Sequence, residues 1–239
     1  MLFFEMDSKC NEGAYSNLIA FIGQSEGDAS DYSALISTEL ARFCIPYNII
    51  FIYPEYLADS LSSVFQSDAF NESMERVKKS NKYFYSFDKY SHLFCDESLS
   101  FSGEVGLDID SSQIINAGIH YLAKRKKDSL IVQSPPGTVF VKPSGDVYEE
   151  FIRTSEILGN YSEQQFMAYS LLFHLPKDIE TRRIYVDTPS ISSVVESIIY
   201  YLYRFSGHAH RNIRFYSFES YSGIERYKPN FPDDVWVLI

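Results

Sequence analysis

The chain has 239 residues, of which 45% are hydrophobic and 22% charged, so it can bury a core, and bulk disorder is disfavoured. Its formal net charge of -11 argues against broad nucleic-acid binding, because an acidic surface repels phosphate backbones. The three cysteines, Cys10, Cys44 and Cys95, are widely spaced, which argues against both a disulfide framework and a zinc site. No apolar run is as long as a membrane span, and Glu5 and Asp7 interrupt any leader-like start. These features predict a cytoplasmic protein that does not enter membranes.

In the first hundred residues, short apolar runs alternate with amphipathic stretches. We predict strands over 17–23 and 48–53, strand or extended chain over 82–94, and helices over 31–43, 59–65 and 71–79. The run from Asn48 to Tyr53 is continuous and rich in isoleucine, as in a strand that is buried on both faces. Residues 95–110 are rich in serine, glycine and aspartate, which predicts a boundary between a smaller α/β region of unclear role (1–110) and a second domain (111–239).

The second half is predicted to be α/β, with a mostly parallel sheet flanked by helices. Its helices are predicted over 112–124, 147–158, 162–175 and 191–205, and its strands over 130–133, 138–142, 183–187, 212–218 and 235–239. Strand, helix and strand joined by short loops are typical of parallel sheets. Ligands of such sheets bind beyond the carboxyl ends of the strands, which here means near residues 187–193 and just past Ile239.

One stretch resembles a known enzyme family. A helix and a short strand precede the run GTVFVKPSG from Gly137 to Gly145. This arrangement resembles the N-terminal region of orotate phosphoribosyltransferases, in which a helix precedes a hairpin of the form G-x-F-x-L-x-S-G. RIYVD (183–187) and VWVLI (235–239) sit where that family has the strands that lead to its pyrophosphate and diphosphate-sugar loops. The resemblance covers residues 112–239 and implies a phosphoribosyltransferase-like domain there.

The resemblance implies a site for a phosphorylated ribose or nucleotide, with Mg²⁺ as the accompanying ion. The residues expected to line it are Lys142, Arg153, Asp187, Ser190 and Ser192. Two of these expectations have simpler alternatives, since Asp187 can be the N-cap of the next helix and the serines can be ordinary caps.

Departures from the family pattern predict that the domain is catalytically degenerate. Pro143 stands where the family has a lysine, and Lys142 comes one residue early, which on a strand points it to the opposite face. The turn from Asp187 to Ser190 holds an aspartate and a proline where a glycine-rich loop would present backbone amides to phosphate. The family's acidic loop would begin only after Ile239. No catalytic residue can therefore be assigned.

Other polar groups have two interpretations each. The basic clusters at 124–127 and 182–183 are either solvated ends of elements or local phosphate sites. His208 and His210 are a histidine pair without a third metal ligand, a pattern more typical of surface residues, so we assign no metal site.

Three functions remain open. The first is a phosphoribosyltransferase-like module that binds a phosphorylated small molecule. The second is a protein-interaction subunit of an oligomer or larger assembly, such as a bacterial phage-defence system, in which the abundant aromatics dock a partner. The third is an active phosphoribosyltransferase completed by residues beyond Ile239 or by a partner subunit.

Overall fold

The computed structural model describes residues 1–10, 13–24, 29–96, 99, 107, 109–141, 145–175, 183–186, 191–206, 214–217 and 235–238. The chain is α/β and forms two compact units, Met1–Tyr121 and Leu122–Ile239. The division into a region 1–110 and a domain 111–239 stays a prediction.

The first unit alternates strands with helices. Its elements are β1 (Leu2–Cys10), β2 (Gly13–Phe21), α1 (Ala29–Leu40), β3 (Asn48–Pro54), α2 (Ala58–Phe65), α3 (Asp68–Ser73), β4 (Asn81–Phe87) and β5 (Leu93–Cys95), with short 3₁₀ turns at Glu55–Leu57 and Glu75–Val77. Helix α4 (Ser111–Arg125) follows and continues past the boundary of the unit.

The five strands form one mixed sheet in the order β1-β2-β3-β4-β5. Strands β2, β3 and β4 are parallel, while β1 and β5 pair antiparallel at the two edges. Neighbouring parallel strands must be joined by a crossover connection. Helix α1 lies in the connection from β2 to β3, and helices α2 and α3 lie in the connection from β3 to β4. Among the described residues, the largest sheet is therefore in the N-terminal unit, which was expected to be the smaller α/β region.

Strand β3 lies at the centre of the core. All seven of its residues are buried, which confirms the strand predicted from its continuous apolar run. On one face, the ring of Phe51 stacks on that of Phe84 and packs beside Phe65 of α2. On the other face, Phe4 is fully buried and packs against Tyr121 of α4, with 6.1 Å between ring centroids. Aromatic side chains thus fill both faces of the sheet, in agreement with their frequency in the sequence.

Three asparagines form a hydrogen-bonded row across the parallel strands. Asn17, Asn48 and Asn81 are in register on β2, β3 and β4. The Asn48 amide donates to Asn17 Oδ1 at 2.7 Å, and the Asn81 amide donates to Asn48 Oδ1 at 3.1 Å. Asn17 and Asn48 are only 1% and 3% exposed. Because a shift of one residue on any strand would break these bonds and turn apolar side chains to the wrong face, the row fixes the register of the sheet.

The second unit contains a smaller sheet and a β-hairpin arm. Its elements are α5 (Lys127–Leu130), β6 (Ile131–Gln133), β7 (Phe140–Val141), β8 (Val147–Tyr148), β9 (Glu150–Ile152), a 3₁₀ turn at Thr154–Leu158, α6 (Tyr161–Leu172), β10 (Arg183–Val186), α7 (Ser192–Ser206), β11 (Arg214–Ser217) and β12 (Val235–Leu238). Strands β10, β11 and β12 form a parallel sheet in the order β11-β10-β12. Helices α6 and α7 pack together through buried side chains that include Phe166, Tyr169 and Tyr201.

Strands β6 to β9 make the arm, residues 131–152. Strand β6 pairs antiparallel with β9, and β7 pairs antiparallel with β8 further out. Gly137 and Gly145 have φ values of +79° and +88°, a conformation that residues with side chains rarely adopt. The helix predicted over 147–158 is wrong: Val147–Tyr148 and Glu150–Ile152 are strands that pair with β7 and β6, and a 3₁₀ turn follows at Thr154–Leu158. Strand β1 was not predicted at all.

Among the described residues, no helix is both long and apolar enough to cross a membrane.

Replacing Asn48 with leucine should destabilise the first unit, because both hydrogen bonds of the central asparagine are lost inside the core. We expect the free energy of unfolding to fall by about 1–3 kcal/mol, measured by urea denaturation. Asn71 is exposed on α3, and Asn71→Leu is the matched control. An Asn48→Leu variant as stable as this control would contradict a structural role for the row.

Candidate functional site

The order of strands in the small sheet creates a topological switch point. From β10 the chain passes through α7 to β11 on one side, while β12 lies on the other side of β10. The three strands are parallel, so the carboxyl ends Val186, Ser217 and Leu238 lie along one edge, and Val186 is directly opposite Leu238. Ligands of open α/β sheets bind in the crevice at such an edge, where connections leave to opposite sides.

Helix α7 begins after this edge. Ser192 is its first residue and is partly exposed, and no acidic residue lies in its first turn. Backbone N–H groups at the start of a helix are unsatisfied by the helix itself and favour an anion. The Ser197 hydroxyl donates to the Ser193 carbonyl at 2.9 Å, so Ser197 forms a hydrogen bond within α7.

A stacked pair of tyrosines lies next to the same edge. Tyr185 and Tyr216 are in register on β10 and β11, each one residue before the end of its strand. Their rings are stacked, with centroids 5.2 Å apart, and Tyr216 remains 42% exposed. Ile184 and Val186, on the opposite face of β10, are fully buried. The sheet therefore presents a flat, partly accessible aromatic surface beside the switch point.

Of the five predicted ligand-binding residues, Lys142, Asp187 and Ser190 lie outside the described residues. Arg153 follows β9 and is exposed, and its backbone N–H donates to the Leu130 carbonyl at 2.8 Å. Within the described ranges, no hydrogen bond or ion pair joins Arg153 to Ser192. The grouping of these five residues into one site stays a prediction. His208 and His210 also lie outside the described residues.

The basic cluster at 124–127 has a structural role. Lys126 Nζ lies 3.2 Å from Glu163 Oε2, and Arg125 lies 3.9 Å from Glu163 Oε1. Glu163 is fully buried and also forms a reciprocal capping box with Asn160 at the start of α6. Two of the four basic residues thus neutralise a buried carboxylate, a role that the sequence did not predict. The cluster is therefore not simply a solvated end of a helix, and only part of it remains for a phosphate group.

The carboxyl end of the large sheet is acidic, and this feature was missed in the sequence. Glu55 directly follows β3, and Asp88 directly follows β4. Burial, and then the nearby negative charge of Asp88, raise the pKa of Glu55 above its usual value. Asp88 Oδ1 accepts the backbone N–H of His92 at 2.9 Å, and Asp88 Oδ2 lies 3.0 Å from His92 Nδ1. The rule that pointed to Asp187, an acid just after a strand, would also have found Glu55, but it would have missed Asp88, because the sequence predicted one extended stretch over 82–94.

In the same unit, the buried Tyr53 pairs with the half-buried Asp96. The Tyr53 hydroxyl, fully buried, donates to Asp96 Oδ2 at 3.3 Å. Burial, and then the negative charge of Asp96, raise the pKa of Tyr53 well above its usual range. The carboxylates of Glu55, Asp88 and Asp96 disfavour anions at this end of the large sheet.

No group of three or more histidine, cysteine, aspartate or glutamate side chains that could hold a metal ion occurs within the described part of the chain. The described residues supply no complete ligand set for Mg²⁺. Binding of that ion stays a prediction, and its ligands would have to come from the residues around Asp187.

No family model matches the sequence, and comparison with curated proteins and with solved structures finds no similar chain.

The buried Tyr53 hydroxyl should make the protein sensitive to alkali. A phenol whose pKa is raised by folding stabilises the fold fully below the unfolded pKa of about 10, and this contribution is lost as the pH rises above that value. We expect wild type to lose up to about 1.4 kcal/mol per pH unit more than Tyr53→Phe above pH ~10, measured by urea denaturation at pH 8 to 11.

Tyr47 is exposed, and Tyr47→Phe controls for the loss of a hydroxyl as such. Parallel stability profiles for wild type and Tyr53→Phe would show that the Tyr53 hydroxyl is not linked to folding in this way.

Proposed function

We propose that the second unit is a phosphoribosyltransferase-like module that binds a phosphorylated ribose or nucleotide at the carboxyl edge of its parallel sheet. The single observation behind the proposal is the strand order β11-β10-β12, because it creates a switch point at the ends of β10 and β12. These two strands are the ones whose sequences resemble the pyrophosphate and diphosphate-sugar strands of orotate phosphoribosyltransferases.

Two further features support a nucleotide-like ligand. The start of α7 has no acidic residue in its first turn, so it tolerates a phosphate group. The partly exposed ring pair of Tyr185 and Tyr216 offers a surface on which a planar base can stack. Phosphate and base would then be held by different parts of the same edge, the phosphate by helix amides and the base by aromatic rings.

The proposal is for binding without efficient catalysis. Asp187 and Pro189 stand where a glycine-rich turn would offer amides, and the family lysine is replaced by Pro143. Mg²⁺ would accompany a diphosphate ligand and bridge its oxygens to the protein. An active transferase would need residues beyond Ile239 or a partner subunit, and that third possibility also stays a prediction.

A thermal-shift titration with phosphoribosyl diphosphate and Mg²⁺, beside pyrophosphate and a nucleotide panel, tests this proposal. We expect a saturable rise in the melting temperature, since a ligand at about 100 times its Kd stabilises the folded state by about 2.7 kcal/mol. Asp187→Asn should change the shift, whereas Asp146→Asn, at an exposed position on the arm, should not. Tyr216→Ala should weaken the binding of nucleotides more than the binding of pyrophosphate, because only nucleotides carry a base.

No shift with any phosphorylated ligand at millimolar concentration would contradict the proposal for this chain alone. A shift that survives Asp187→Asn unchanged would leave Asp187 as a helix cap only.

A second candidate, a protein-interaction subunit, is favoured by the arm. Val141 and Val147 are directly opposite each other on β7 and β8 and are 65% and 60% exposed. Tyr148 and Phe151 are exposed as well. A two-stranded ribbon with exposed apolar side chains is suited to pairing with another strand or ribbon.

The simplest partner for the arm is the arm of a second copy. Strand edges can pair around a two-fold axis, which makes a closed dimer. The arm holds Lys142 against Asp146, Glu149 and Glu150, and Arg153 follows it directly, so its net charge is small although the whole chain has a net charge of -11. Charge therefore opposes self-association through the arm only weakly.

Sedimentation velocity over a concentration series tests the arm. Wild type should show a concentration-dependent dimer, and a double variant with Val141→Lys and Val147→Lys should remain a monomer. Phe173→Lys places the same charge on another exposed apolar residue, beyond α6, and should still dimerise. A wild-type protein that stays monomeric at all concentrations, or a double variant that dimerises like wild type, would contradict self-association through the arm.

A further inference from the structure

The small sheet has two arginines beside its tyrosine pair. Arg183 on β10 is directly opposite Arg214 on β11. Each lies two residues before a member of the tyrosine pair, Tyr185 or Tyr216. Residues two apart on a strand belong to the same face of the sheet and are separated by about 7 Å along it. One face of these two strands therefore has a row of two arginines followed by a row of two tyrosines.

The register of the two arginines indicates an anion. Like charges that are directly opposite each other in a sheet repel and lower its stability. Strands β10, β11 and β12 contain no acidic residue, so none of these strands offsets the two positive charges. A phosphate group bound by both arginines would offset the repulsion, and guanidinium groups are well suited to phosphate.

The exposed ring of the tyrosine pair lies on an outer strand. Among the described strands of this sheet, β11 is at one end of the order β11-β10-β12. The Tyr216 ring stacks on that of Tyr185 with 5.2 Å between centroids and is 42% exposed. Ile184 and Val186, on the opposite face of β10, are fully buried. A planar base on the outer side of Tyr216 would therefore extend the stack on the face that has the arginines.

Anions are favoured on both sides of Tyr216 along the strand direction. The arginine row lies towards the amino ends of β10 and β11. The start of α7, whose N–H groups favour an anion, follows the carboxyl edge. A mononucleotide has phosphate on one side of its base only, whereas a nucleotide inside a strand is flanked by two phosphates. The face is thus complementary to an internal nucleotide of a single strand.

We propose that this face binds single-stranded nucleic acid, with a base stacked on Tyr216, one phosphate at Arg183 and Arg214, and the next phosphate at the start of α7. The inference rests on the base-stacking surface of the proposed function and names its ligand as a polymer. Asp187 follows β10 in the sequence, and the Mg²⁺ of the proposed function would screen its charge from the second phosphate. The net charge of -11 repels a strand at long range, so stacking supplies most of the affinity.

Fluorescence anisotropy of the full chain with a labelled adenine hexanucleotide, prepared as DNA and as RNA and measured with Mg²⁺, tests the proposal. We expect saturable binding of the single strand, with the tighter of the two probes identifying the kind of nucleic acid. A duplex, whose bases are already stacked on each other, and an abasic strand, which keeps only the phosphates, should bind more weakly.

Variants of one exposed ring test the stacking. Tyr216→Ala should weaken the single strand by about fivefold or more, because a stacked base is lost, and Tyr216→Trp should restore the affinity. Tyr47→Ala removes an exposed ring from the first unit and should leave the affinity unchanged.

The salt dependence tests the arginines. With one or two phosphates neutralised, the logarithm of the affinity should fall with the logarithm of the salt concentration with a slope of about -0.7 to -1.4. Arg214→Gln should weaken binding and bring this slope closer to zero. Arg42→Gln changes an exposed arginine of the first unit and should do neither.

Photo-cross-linking of the wild-type protein gives a readout that does not depend on the folding of a variant. A strand that carries iodouracil should cross-link to Tyr216, as identified by mass spectrometry. Equal binding of the abasic strand, an unchanged affinity of Tyr216→Ala, or cross-links only at other residues would each overturn the proposal.

Adenosine monophosphate as a competitor separates this inference from the proposed function. A hexanucleotide that binds no more tightly than adenosine monophosphate would overturn the polymer and leave the nucleotide site in place. A hexanucleotide that binds tightly to a chain whose melting temperature does not respond to phosphoribosyl diphosphate would support the polymer and contradict the phosphoribosyl ligand.

Discussion

The complete burial of β3 is the constraint from which the rest of the first unit follows. A strand without solvent contact must pair its backbone on both edges and present apolar side chains on both faces. Its parallel neighbours on either side require crossover helices, and α1, α2 and α3 pack with one face of the sheet in a single apolar cluster. Asn48 is the polar exception in β3, and it is tolerated because Asn17 and Asn81 satisfy its amide.

The two ends of this sheet also differ in charge. Neutral amides occupy the amino end of the parallel strands, where a charge would be costly, and Lys82 lies just beyond them. The carboxyl end is followed by Glu55 and Asp88, so it repels anions. The small sheet differs, since its edge has tyrosines and a helix start without acids. Asp187 follows β10 in the sequence, so the contrast between the two edges depends on the tyrosine pair and not on an absence of acidic residues.

The sequence predicted those helices and strands whose hydrophobic pattern fits only one type of secondary structure. The run from Asn48 to Tyr53 and the helix over 112–124 were confirmed, because a continuous β-branched run and a sustained helical period are unambiguous. Residues 147–158 were mispredicted, since Val147, Phe151 and Leu158 also fit one face of a helix, whereas pairing with β6 and β7 makes the first part of this segment extended. Long-range pairs such as Lys126 with Glu163 leave no local pattern, so the function of the basic cluster could not be predicted.

The base of the arm has a consequence for how this protein can change over evolution. Ile131 and Ile152 are paired directly across the ladder between β6 and β9, so the arm leaves and re-enters the second unit at adjacent points. A segment whose ends already meet can be lengthened, shortened or replaced by a tight turn at a small cost in loop-closure entropy. Insertions and deletions between these two isoleucines would leave the path of the chain through the flanking helices unchanged. Variation in length among descendants of this chain should therefore concentrate in the arm, which makes it the part most easily adapted to a new partner.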